Sequence, residues 1–199
     1  HFRMPRVFLI WLSALLPSLL CAHAQWQEAS ALGVIDDQGA LTLTVKFDVP
    51  SFFVGQTPKD AAEKELDALM QTPGRLAEAV EPGRRSFLDG TRLEADGRPV
   101  AWVILAFPTA EQILAQSSRQ GEADRYPVML NAKLKANLPP DVHTLRLRFP
   151  DKLGTVFVNL RKGMEYQVVM AATTGSPAEL TLSETPGATS TRLASVPKA

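Results

Sequence analysis

Leu41, Leu43, Val45, Phe47 and Val49 alternate with Thr42, Thr44, Lys46 and Asp48. One face of that stretch is wholly apolar and the other wholly polar, the pattern of a half-buried strand that Pro50 ends. The preceding stretch, Trp26–Gly39, shows no clean period and reads as irregular. From Gln56 to Gln71 the period changes. Ala62, Leu66, Leu69 and Met70 recur at helical spacing, Glu63, Lys64 and Asp67 face away, and Thr57-Pro58 with Asp60 supplies a start signal. Pro73-Gly74 ends this helix, and a short second one is expected over Arg75–Val80, before Pro82-Gly83.

Strand periodicity returns after Phe87. The stretch "TRLEADGRPVAWVILAF" holds two runs joined through Asp96-Gly97, a hairpin signal because the turn needs positive φ. Its continuously apolar part, Val100–Phe107, predicts a central strand covered on both faces. Thr109 with Gln112 marks a capping box that opens a helix of about ten residues, closed near Gly121. Further strands are predicted at Pro127–Leu138, His143–Phe149, Thr155–Leu160, Tyr166–Ala172 and Glu179–Ser183. Short strands separated by Gly/Pro turns give a mainly β fold, an Ig-like antiparallel sandwich with one or two short helices inserted, the alternative being α+β with helices on one face of a sheet.

The N-terminal region changes the expected compartment. Arg3 and Arg6 precede an apolar run, Val7–Leu20, broken by Ser13, Pro17 and Ser18. The run is too short to cross a hydrocarbon layer of ~30 Å, and Ala22-His23-Ala24 has the small-x-small form of a signal-peptidase site. Residues 4–24 therefore read as a secretory leader, 25–184 as one β-rich exported domain, periplasmic or extracellular, and 185–199 as a disordered Thr/Ser/Pro/Ala-rich tail. A lipid anchor at Cys21 is the alternative; that motif wants a small residue before the cysteine, where Leu20 stands.

The sequence has 21 basic and 21 acidic residues, one cysteine and three histidines. Cleavage after Ala24 removes Arg3 and Arg6 and leaves a formal charge of −2, without the strong basicity of a general nucleic-acid binder. It also removes Cys21, His1 and His23, so no disulfide is expected, and the remaining His143 cannot build an ordinary zinc or copper site. No metal or other cofactor is expected.

Candidate chemistry is sparse. His143 with Asp141 is a formal general-base pair, but a turn Asp beside a strand-end His outweighs it without a nucleophile motif. Ser51, Ser86 and Ser117 lie in no G-x-S-x-G setting. Glu63, Glu65 and Asp67 fall on an amphipathic helix as a solvated face. No catalytic residue is assigned. If Pro127–Leu138 and His143–Phe149 form a hairpin through Pro139-Pro140-Asp141, Lys133 and Lys135 share an outer face with Arg146 and Arg148, and Arg161-Lys162 extends it. Like charges so opposed cost stability. Acids from a third strand can compensate them, or the patch can bind an anion, a lipid headgroup or another partner; lysines on a sheet also block stray strand pairing.

Two stretches, "AEKELDALMQ…RRSFLDGTRLEADGRPV" and "TLRLRFPDKLGTVFVNLRKGMEYQVVMAATTGSPAELTL", resemble the extracytoplasmic N-terminal portion of membrane proteins related to the HupE/UreJ group. The resemblance rests on the Asp96-Gly97 turn and on Phe149–Val156, and covers roughly residues 40–183. It implies a stand-alone accessory domain. The transmembrane helices with metal-linked His and Asp residues that follow in that group have no counterpart within these 199 residues, so neither transport nor a metal ligand is expected to carry over. The expected function is a non-catalytic exported binding or accessory domain contacting a partner protein, such as a membrane protein, or an envelope component. The rival is a carboxylate-dependent hydrolase of an envelope polymer, which requires two carboxylates facing each other in a cleft.

N-terminal sequencing of exported material is expected to begin at Gln25; an acylated Cys21 at the N-terminus would overturn that cleavage site.

Overall fold

In chain order the elements are β1 (Ala29–Ile35), β2 (Ala40–Asp48), α1 (Val49–Val54), α2 (Glu63–Gln71), α3 (Arg75–Gly90), β3 (Arg92–Ala95), β4 (Arg98–Val100), β5 (Val103–Ala106), α4 (Ala110–Gln120), β6 (Met129–Asn137), β7 (Thr144–Arg148), β8 (Val156–Lys162), β9 (Glu165–Ala171) and β10 (Ala178–Thr181). This computed structural model describes residues 28–72, 74–121, 125–163, 165–171 and 176–182. The leader expected at 4–24 and the tail expected at 185–199 lie outside the described residues.

The strands form two sheets, in the orders β5-β6-β2-β1-β8-β9 and β10-β7-β3-β4. Among the described residues every pairing is antiparallel except β1 with β8, which is parallel. The fold is thus mainly β and sandwich-like, and its larger sheet is mixed. The inner face of β2 (Leu41, Leu43, Val45, Phe47) is at most 1% exposed. It belongs to one apolar core with Leu134 of β6, Val158 of β8, and Leu93, Leu147 and Leu180 of the smaller sheet.

Two local signals form as read. Asp96 and Gly97 both take positive φ (47° and 76°) in the turn between β3 and β4. Thr109 caps α4 reciprocally: its Oγ1 accepts from the Gln112 amide, and the Gln112 side chain accepts from the Thr109 amide.

Elsewhere the chain departs from its periodicity. Trp26–Gly39 was expected to be irregular, yet Ala29–Ile35 is an interior strand. Small residues, Ala29, Ala31 and Gly33, precede Ile35 on its inner face while Leu32 points out, which inverts the usual pattern over most of the strand. Asp48, on the polar side of β2 by alternation, is 3% exposed. The apolar run Val100–Phe107 is no central strand. The chain crosses between sheets at Ala101-Trp102, so β4 and β5 are each an edge, and Val103 and Leu105 are exposed. The first predicted helix begins later, at Glu63; Thr57 instead donates from Oγ1 to Asp60 in the preceding turn. Helix α3 does not stop before Pro82-Gly83. Pro82 removes one backbone hydrogen bond, a defect that costs ~3 kcal/mol in a helix interior. Continuing the helix places Leu76, Gly83 and Phe87 on one buried face. A side chain at position 83 would come within 2.6 Å of Phe53 Cδ1, so glycine lets the helix approach. Phe87, fully buried, stacks on Phe47 at 5.1 Å and meets Phe52 edge-on at 6.0 Å. That aromatic packing ties β2, α1 and α3 together.

Asp48 holds the junction of β2 and α1 to the start of β6. Its Oδ1 accepts from the Val128 amide at 2.8 Å, and its Oδ2 accepts from Ser51 Oγ. Burial pushes its carboxyl up to about 6, outweighing the opposing hydrogen bonds from Ser51 and Val128. A folded-state pKa above the ordinary value favours the folded state at low pH, and the advantage is lost as pH rises through about 6. Asp48→Asn keeps an acceptor for Val128 without the charge. Its stability relative to the unsubstituted protein should therefore improve by about 2 kcal/mol between pH 4 and pH 8, most of what a shift of about two pKa units supplies. Urea melts at the two pH values measure this; a gap that does not change with pH would contradict it.

Candidate functional site

The structure does not bring the four predicted basic residues together. Lys133 and Lys135 lie on β6 in the six-stranded sheet, and Arg146 and Arg148 on β7 in the four-stranded sheet. The Pro139-Pro140-Asp141 segment carries the chain from one sheet to the other and closes no hairpin. Strand β6 pairs with β2 and β5, and β7 with β10 and β3.

Each pair of cations therefore has its own surroundings. Arg146 stands in register between Glu179 of β10 and Glu94 of β3. Its Nη2 lies 2.6 Å from Glu179 Oε1 and its Nη1 3.7 Å from Glu94 Oε2. The Glu179 carboxylate raises the already high guanidinium pKa. The acids of neighbouring strands thus compensate Arg146 within its own sheet. Arg148 is exposed and faces Arg92 across β3.

Around Lys133 and Lys135 the pattern is different. Strand registers align the outer face of the six-stranded sheet into rows. One row runs Val103, Lys135, Thr42, Val34, Arg161, Tyr166. The next runs Ala106, Lys133, Thr44, Leu32, Asn159, Val168, and a third runs Asn131, Lys46, Ser30, Phe157. No position in these rows carries a carboxylate. Lys46, Lys133, Lys135 and Arg161 are all exposed, and no ion pair engages them among the described residues. The face crosses five inter-strand gaps, about 24 Å at ordinary sheet spacing. Arg161 was in view as an extension of the patch. Lys46 was legible as a polar-face residue of β2, but its place beside Lys133 required the β2–β6 pairing.

The groups considered for catalysis do not converge. His143 Nδ1 lies 3.9 Å from Asp96 Oδ2, with both side chains solvent-exposed. Asp96 is engaged structurally: it accepts from the amides of His143 and Thr144 and from Thr144 Oγ1, and these bonds hold its carboxyl below the ordinary range. Asp141, at φ 58°, is a turn residue. Ser51 is buried against Asp48. On α2, Asp67 accepts from Arg125 and Tyr126, and Glu65 accepts from Gln56. An open groove of about 480 Å³ lies along β5, lined by Val100, Ala101, Val103, Leu105, Lys135, Ala136 and Asn137, with no carboxylate. Among the described residues no group of three or more His, Cys, Asp or Glu side chains is placed to hold a metal ion, and no helix is long and apolar enough to cross a membrane.

No protein-family model matches the chain, and no curated protein is significantly similar to it in sequence.

Proposed function

We propose that this chain is an exported, non-catalytic accessory domain that binds an anionic component of the cell envelope through the outer face of its six-stranded sheet. The observation that carries this reading is the composition of that face. Four exposed cations stand on it, and its three rows contain no acid. A chain of balanced overall charge that segregates its cations in this way keeps a local positive potential, and such a potential attracts and orients anionic partners. The leader-like residues 4–24 support an envelope location. The resemblance to the extracytoplasmic portion of HupE/UreJ-related proteins is in keeping with an accessory role beside a membrane protein.

Cosedimentation with isolated envelope fragments tests the reading. Lys133→Glu with Lys135→Glu should weaken binding about tenfold or more, an effect that salt diminishes. Arg84→Glu with Arg85→Glu changes the net charge equally on α3, where both arginines pair with Glu81; that variant should bind within about twofold of the unsubstituted protein. Equal losses in both variants, or no salt-sensitive binding by the unsubstituted protein, would contradict the assignment.

A further inference from the structure

Resting on that reading, we propose that the anionic component is the surface of a lipid bilayer, on which the protein lies peripherally with the outer face of its six-stranded sheet against the headgroups. The face has two halves that meet between β2 and β1. The β6–β2 half carries Lys46, Lys133 and Lys135, separated by Thr42 and Thr44. The β1–β8–β9 half exposes Leu32 (46%), Phe157 (38%), Tyr166 (58%) and Val168 (54%), with Arg161 in register between Val34 and Tyr166. The most exposed large apolar side chains of β1, β8 and β9 thus adjoin cations that lack carboxylate partners.

A small anion or a hydrophilic polyanion would use the cations and gain nothing from Leu32 or Val168. A protein partner would use the apolar residues, but the centres of protein–protein interfaces are depleted in lysine, and here lysines occupy two adjacent central strands. A bilayer interface offers both chemistries within a few ångströms of depth. Lysine stems lie along the apolar boundary while their ammonium groups reach lipid phosphates. Aliphatic and aromatic side chains enter the headgroup–acyl boundary, where tyrosine is favoured. The chain's net charge is near zero, so attraction to anionic lipid depends on this segregation rather than on total charge.

The test uses the exported form, beginning at Gln25, and vesicles of phosphatidylglycerol mixed with phosphatidylcholine, against phosphatidylcholine alone. Binding is expected to the mixed vesicles only. Lys133→Glu with Lys135→Glu should lower partitioning about 25-fold or more, as roughly 1 kcal/mol per basic residue implies. Tyr166→Ser with Val168→Ser, which leaves the charge unchanged, should lower it about tenfold. Injection beneath a phosphatidylglycerol monolayer at constant area should raise the surface pressure, and this readout needs no variant to fold. Absence of binding to the mixed vesicles, or binding without a pressure rise, overturns the proposal. If fragments stripped of lipid by detergent still bind in a Lys133- and Lys135-dependent way, the basic face stands as a binding surface and the lipid assignment falls. If protease treatment of those fragments then abolishes binding, the partner is an acidic protein instead.

Discussion

The surface chemistry of this protein depends on the register between β2 and β6. Thr42 lies opposite Lys135, Thr44 opposite Lys133 and Lys46 opposite Asn131. Side chains alternate with a period of two, so a slip of one residue by either strand would drive its lysines into the core and its apolar set into water. Leu41, Leu43, Val45 and Phe47 are at most 1% exposed, as is Leu134. Burying each such side chain is worth roughly 1.5–3 kcal/mol, which leaves one register far below the others. Asp48 fixes the same alignment at the strand end through the Val128 amide. The basic face is a consequence of how the core is packed.

Arg146 and the lysines of the six-stranded sheet are handled in opposite ways. On the four-stranded sheet, Arg146 sits between Glu94 and Glu179, which compensate it within the sheet, whereas Arg148 next to it faces Arg92. On the six-stranded sheet each lysine faces threonine or asparagine across the β2–β6 ladder. That spacing avoids the cost of opposing like charges directly, yet it leaves the cations available to something outside the chain. Tolerating Leu32 and Val168 at about half exposure on the same face fits the same outward role, since large apolar side chains grouped beside unpaired cations do nothing for solubility.

How much of this could be read from the sequence followed from whether the information was local. The alternation of β2, the Asp96-Gly97 turn and the Thr109–Gln112 cap are encoded within a few residues, and each formed as read. Strand β1 was hidden because it packs alanine and glycine inward against its neighbours, so its hydrophobic pattern carries no usable period. Helix α3 continues past Pro82-Gly83 because burying Phe87 among Phe47 and Phe52 outweighs a local helix breaker, a balance set by distant residues. The candidate site was half legible. Alternation placed Lys133 and Lys135 on an outer face, but adjacency in the chain suggested that β7 was the partner of β6. The partners are β2 and β5, and that choice moved Arg146 and Arg148 to another surface.

The central claim is that the outer face of the six-stranded sheet, and no other, meets the envelope. The sequence contains one cysteine, Cys21, so in a Cys21→Ser background the chain can be labelled at a single introduced thiol. A polarity-sensitive fluorophore would be attached at Thr44→Cys, in the row between Lys133 and Leu32, or at Pro99→Cys on the exposed edge of the four-stranded sheet. On addition of envelope fragments the label at position 44 should shift to the blue while the label at position 99 stays unchanged. A shift at 99 with none at 44, while the protein still cosediments, would contradict the account.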